Sequence, residues 1–233
     1  MLDILSLPAD GAARGVLGWT LCRRLEDGVV LRGRIVETEA YAGVADAACH
    51  SYEGRRTARN EPMYGPPGTT YLYFTYGMHW CMNIACTARD DPQAVLLRAI
   101  EPVEGAARMD ALRLRNPKAA KGLAETKLGA GPARLCAAMG LDKSWNGVDL
   151  LKKKRSGPDL WLEVGPEPEG VLFGPRIGID RAGEPWVSAP LRFGVAGSAS
   201  LSKKFALIPK KCSGIVWSWG ESRPLADSGR GGV

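Results

Sequence analysis

The chain has 233 residues, 45 % of them hydrophobic, and carries 31 Lys and Arg against 25 Asp and Glu, a net charge of +6. That length and apolar content support a real core in one large domain, and no run of eighteen apolar residues offers a membrane-spanning helix. Cysteines at 22, 49, 81, 86, 136 and 212 form no CxxC pair, which excludes a compact secreted disulfide framework and fits reduced thiols.

The start, "MLDILSLPADGAARG", lacks the basic then apolar order of a signal peptide, so a soluble cytoplasmic protein is expected. Residues 8 to 17, "PADGAARGVL", suit a short helix. "WTLCRRL" and "VVLRGRIVETEAY" read as strands joined by the hairpin signal Glu26-Asp27-Gly28. A period of two along "RIVETEAY" puts Glu37, Glu39 and Tyr41 on one face and Val36, Thr38 and Ala40 on the other. Two carboxylates about 7 Å apart can divide acid and base roles. They can equally be the polar outer face of an edge strand.

Residues 43 to 68 are irregular and rich in Gly, Pro and Arg, too long for an idle connection and so expected to form a functional loop. "TTYLYFTYG" and "MHWCMNIAC" follow as a hairpin, with Tyr71, Tyr73 and Thr75 on one face, Leu72, Phe74 and Tyr76 on the other, and Gly77 at the turn. An aromatic such as Tyr76 at a turn tip loses most of its burial energy to water, unless a partner covers it. "AVLLRAI" is a further strand, 103 to 115 a helix, 116 to 131 a loop, and "GPARLCAAMG" a short helix with Pro132 in its first turn. "LWLEV", "PRIGI" and "LRFGVAG" read as three more strands, and the chain beyond about 206 as a tail.

The expected architecture is α+β, one domain over 1–205 with a mainly antiparallel curved sheet, peripheral helices and a protruding hairpin, then a flexible tail over 206–233. All six tyrosines lie between 41 and 76, with His50, His79 and Trp80 in or beside that window. A core spreads its aromatics through many elements, whereas a stacking site gathers them. Basic clusters at Arg55-Arg56-Arg59, Lys152 to Arg155, Lys203-Lys204 and Lys210-Lys211 favour a polyanionic partner. Cys49-His50, His79, Cys81 and Cys86 match no zinc spacing, so neither metal nor cofactor is expected. A carboxylate, an imidazole and several rings are what a pocket needs to hold a purine and activate water beside its sugar.

The blocks "GRIVETEAY", "AACHS", "PPGTTYLYFTYGMHWCMNI", "VLLRAIEP", "GPARLC" and "PLRFGVAGS", in this order over roughly residues 3 to 200, resemble the alkyladenine (3-methyladenine) DNA glycosylase family of base-excision repair. The resemblance implies that Glu39 is the general base activating the water that displaces a damaged purine. It implies that Tyr41, His50 and Tyr73 sandwich and hydrogen-bond the flipped base, and that Asn83 opposes the exocyclic amino group of guanine. It makes Tyr76 the residue entering the minor groove, and Arg98 a DNA contact near the flipped nucleotide. The implied partner is double-stranded DNA carrying damaged purines; a monomer is expected, and the compact size of the chain suggests a bacterial cytoplasmic protein. No lysine stands between 37 and 98, which argues against an amine nucleophile and for a monofunctional hydrolase. A noncatalytic module stacking bases on the tyrosine hairpin, and a metal-dependent hydrolase built on the histidines and cysteines, are the competing readings.

Overall fold

The computed structural model describes residues 1–75, 77–154 and 156–205. Two small helices, α1 (Leu2–Leu5) and α2 (Ala9–Gly15), precede strands β1 (Thr20–Arg24) and β2 (Val30–Tyr41). Strands β3 (Thr70–Thr75), β4 (His79–Cys86) and β5 (Gln93–Glu104) follow the long loop, then helices α3 (Ala106–Arg113) and α4 (Pro132–Met139) and strands β6 (Asp159–Glu163), β7 (Val171–Gly174) and β8 (Arg192–Val195). All eight strands join one curled antiparallel sheet in the order β3-β4-β5-β2-β1-β6, with β8 pairing both β2 and β7. The fold is α+β, as its sequence pattern implies.

"PRIGI" is not a strand. The strand lies just before it, at β7, and residues 175–179 form a connecting loop. Pro175 withholds a ladder N–H and Gly178 takes a positive φ of 78°, which breaks the pairing there. Tyr76, the residue expected at the hairpin tip, and the tail over 206–233 lie outside the described residues. Beside that tip, Thr75 faces His79 in the β3–β4 register, and Gly77 turns the chain at a φ of +63°.

Strand β2 is the spine of the site. Over residues 30–34 it pairs with β1 on one side, and over 37–39 with β8 on that same side, while β5 runs along the other. It is therefore central, not an edge, and Glu37 and Glu39 are fully buried rather than solvated. In its first half Leu31, Gly33 and Ile35 face the core and Arg32 and Arg34 face outward. The register against β5 then slips twice: Ile35 faces Ile100, Glu37 faces Ala99 and Thr38 faces Leu97. Val36 is thus an extra residue on β2 and Arg98 an extra residue on β5.

A bulge shifts the side-chain alternation by one. After Val36, Thr38 points toward α2, donating its hydroxyl to the carbonyl of Ala13 at 2.8 Å. Glu37, Glu39 and Tyr41 are turned to the opposite face. The core packs beneath that half-strand through Ala9, Ala12 and Ala13 of α2, whose small side chains let the helix approach the sheet, and through Leu5, Leu17, Leu97 and Ile100.

Candidate active site

The long loop is ordered by two buried polar residues. Asp46 accepts the backbone N–H of Ala42 at 3.0 Å and of Ala48 at 2.9 Å. Asn60 caps Thr57 and donates its amide to the carbonyls of His50 and Arg55 at 3.0 and 2.8 Å. The loop packs Cys49, Met63 and Tyr64 against Tyr71 of β3 and forms one wall of a cavity of about 270 Å³. Tyr41, His50, Tyr71, Tyr73, Asn83 and Arg98 are among its walls, together with residues 177–179. That is just below the ~300–1,000 Å³ of ordinary ligand sites, a volume suited to one flat ring system rather than a whole nucleotide.

Five of the seven residues singled out from sequence therefore meet in one cavity. The alternation in β3 holds: Tyr71, Tyr73 and Thr75 line the cavity, Leu72 enters the core and Phe74 is exposed. Tyr73 meets the His50 ring edge to face, with centroids 4.6 Å apart and planes at 82°. Tyr71 was not expected as a site residue. It is buried, and its hydroxyl lies 2.8 Å from Nδ1 of His50, a hydrogen bond that orients the ring. Burial, with Arg59 and Arg55 nearby, pushes the His50 pKa down to about 4, so the imidazole is neutral at pH 7. Tyr71→Phe is expected to cost about 0.5–1.5 kcal/mol of stability, the net worth of one hydrogen bond, as chemical denaturation would show.

Glu39 lies behind the cavity wall with no exposed surface. Its Oε1 accepts the backbone N–H of Ile177 at 2.8 Å and faces Nη1 of Arg98 at 3.0 Å, and its Oε2 accepts the Tyr41 hydroxyl at 3.0 Å. Burial pushes its pKa up, against the pull of Arg98, the Ile177 N–H, the Tyr41 hydroxyl and Arg176. Burial also raises the Tyr41 hydroxyl well above its usual range, so it stays protonated as a donor. The result is an oriented carboxylate with raised basicity beside an aromatic cavity, an arrangement able to take a proton from water.

Arg98 is itself buried, binding Glu37 through Nε at 2.9 Å as well as Glu39. It lines the cavity from within and is not a surface cation. Asn83 donates Nδ2 to the Tyr71 carbonyl at 3.1 Å, which holds its amide in the wall.

Arg176 carried no sequence signal. It forms a buried two-point pair with Asp46, one arm at 2.9 Å, donates to the Ala40 carbonyl, and sits 4.7 Å from the Tyr41 ring centroid. Among the described residues no group of three or more His, Cys, Asp or Glu side chains is placed to hold a metal ion. No described helix is long and apolar enough to cross a membrane.

By its sequence the chain belongs to a known class of DNA-repair proteins. Residues 3–199 match the methylpurine-DNA glycosylase (MPG) family, and the chain belongs to that family. It is 46 % identical over 206 residues to the human DNA-3-methyladenine glycosylase, covering 86 % of this chain and 67 % of the human protein. The mouse DNA-3-methyladenine glycosylase gives the same 46 % identity over 206 residues and 86 % of this chain, with 60 % of its own length matched. A protein of Methanocella arvoryzae, provisionally named a 3-methyladenine DNA glycosylase, is 42 % identical over 202 residues, covering 87 % of this chain and 94 % of its own length.

Proposed function

We propose that this chain is a monofunctional DNA glycosylase that flips a damaged purine out of duplex DNA into the Tyr41, His50 and Tyr73 cavity and hydrolyses its N-glycosidic bond. The observation that carries the reading is Glu39, a fully buried carboxylate with raised pKa held by Tyr41, Arg98 and the Ile177 N–H beside that cavity. A purine alkylated at N3 or N7 is positively charged, and its glycosidic bond is already weakened. The protein then need mainly supply an oriented water and an anion near an oxocarbenium-like sugar. Glu39 does both.

Electron-poor rings stack on tyrosine for roughly 1–3 kcal/mol per base, and damaged bases cost less to unstack. Asn83 lies in the wall where it would oppose the amino group of a normal guanine. Tyr76, between the exposed Phe74 and Met78, would fill the gap left in the stack, and Arg55 and Arg59, exposed on a neighbouring pocket that shares His50 and Tyr71 with the cavity, would meet phosphates. Residues 1–205 would act as the catalytic unit, as a monomer, with 206–233 as an appended tail.

The direct test is base release. Duplexes carrying a single 7-methylguanine, 1,N6-ethenoadenine or hypoxanthine are incubated with the protein in excess chelator, and free base and abasic sites are quantified. Both products should appear together, without strand cleavage. Tight lesion binding with no free base would instead support a noncatalytic damage-binding module, and activity lost to the chelator a metal-dependent hydrolase.

A further inference from the structure

Every side-chain nitrogen of Arg98 is committed. Nε binds Glu37 at 2.9 Å, Nη1 faces Glu39 at 3.0 Å, and Nη2 donates to the hydroxyl of Ser202 at 3.3 Å. Glu37 is saturated in turn. Its Oε1 takes Arg98, Nη1 of Arg192 at 3.1 Å and the Ser202 hydroxyl at 2.7 Å, and its Oε2 takes the Ser202 backbone N–H. Glu37 has no exposed surface and does not line the cavity.

Ser202 stands on no strand or helix. It belongs to the segment after β8, which Lys127 holds by the Ala199 carbonyl at 2.6 Å and Arg192 holds by the Lys203 and Lys204 carbonyls and by the Phe205 ring at 3.8 Å. One serine of this strap therefore donates twice to Glu37 and accepts once from the arginine that faces Glu39.

We propose that Ser202 and Glu37 are positioning residues for the general base, setting through Arg98 how much of the guanidinium charge reaches Glu39. This rests on the reading of Glu39 as the base. A guanidinium shared by two carboxylates divides its attraction, and what one carboxylate gives up the other gains. Donors on Glu37 satisfy it locally and release Arg98 toward Glu39. The groups facing Glu39 are Arg98 from β5, Tyr41 from its own strand, Tyr73 from β3, Cys81 from β4, and Arg176 with the Ile177 N–H from the loop after β7. Arg192 is opposite Glu39 in the β2–β8 register but is spent on Glu37. Arg98 and Arg176 are each shared with a second carboxylate off the cavity, Glu37 and Asp46, but only Glu37 is held by Ser202, so the strap acts on Glu39 through Arg98.

The test follows single-turnover release of 7-methylguanine from a duplex across its acid limb, because a cationic base leaves without a proton and the limb then reports the base alone. Glu37→Gln removes the competing charge and should move the limb to lower pH, by about 0.5–1 unit against the ~1–3 units an adjacent opposite charge commands. Ser202→Ala strips a donor from Glu37, which then draws harder on Arg98, and should move the limb to higher pH. Ser202→Thr keeps the hydroxyl and should restore the wild-type limb. Limbs that stay put in both Glu37→Gln and Ser202→Ala, with only a uniform loss of rate, would overturn the inference and leave a structural strap. Glu39→Gln run alongside separates the two levels: if it releases base at the wild-type rate, the base assignment fails and this inference with it. If it is inactive while the limbs are unmoved, only this inference fails.

Discussion

Glu39→Gln is expected to lower base release by about 10²–10⁴, the usual contribution of a positioned general base, while lesion binding changes little. Gln keeps the shape of the side chain and its carbonyl can still accept the Ile177 N–H or the Tyr41 hydroxyl, but it cannot take a proton from water. The same substitution carries a stability signature. Burial raises the folded-state pKa of Glu39 above its unfolded value of about 4.3, so its contribution to stability is present below that value and lost as pH rises through the folded pKa. At neutral pH the ionised carboxylate therefore weighs against folding, and Glu39→Gln should melt no lower than the wild type. Arg98 does not become an orphan, because Glu37 still holds its Nε. Activity lost together with a large drop in Tm would mark Glu39 as a structural anion. Wild-type release should also decline in acid with a midpoint above the usual carboxylate range.

The second large effect lies away from the reacting atoms. Asp46 and Arg176 have no exposed side-chain surface and hold each other by two contacts, tying the long loop to the segment after β7. Asp46→Ala should cost about 3–5 kcal/mol, because it leaves a buried guanidinium uncompensated and strips an acceptor from the Ala42 and Ala48 N–H groups. For a chain of this size each kcal/mol is worth about 2–4 °C in Tm. Asp46→Leu combined with Arg176→Met should recover much of that loss, since replacing both charges by apolar groups removes the unpaired ion. Binding should not recover with it, because Arg176 also backs the Tyr41 ring and Asp46 sets the chain leading to His50. Chemical denaturation and lesion titration of the same variants check both halves. A single Asp46→Ala with an unchanged denaturation midpoint would show the pair to be dispensable.

What the sequence displayed of this site depended on how local each signal was. Tyr71, Tyr73 and Thr75 could be assigned a common face because β3 runs without interruption, and they do line one cavity. The grouping of Glu37, Glu39 and Tyr41 was also visible, but not the face they take relative to Leu31 and Ile35, since the slip at Val36 is written in the pairing with β5. Nor does a pair of glutamates two residues apart announce that its strand is central. The edge-strand reading of Glu37 and Glu39 fails because β5 and β8 bury them from both sides.

Arg176 and Ser202 were invisible for a different reason. Each reaches the site from a loop more than a hundred residues away in the chain, and nothing in "PRIGI" or "SLSKK" distinguishes a residue that closes a carboxylate from one in open solvent. Tyr71 was overlooked although its face was known, because its hydroxyl serves His50 rather than the cavity. The segment misread as a strand is where the backbone, through the Ile177 N–H, addresses Glu39.

The double slip between β2 and β5 divides one continuous strand into two stretches answerable to different selections. In residues 30–35 the inward side chains are held by β1 and the core, so changes at Leu31, Gly33 and Ile35 should be judged on volume. Residues 37–41 are held by β8, the strap and the loops, and changes there should be judged on charge and hydrogen bonding, nearly regardless of size. Were Val36 paired in register instead of left as an extra residue, strict alternation from Ile35 would exchange the two sides of residues 37–41 and send both acids into the hydrocarbon under α2. The position that most decides whether this protein has an active site is thus a valine with no chemistry of its own.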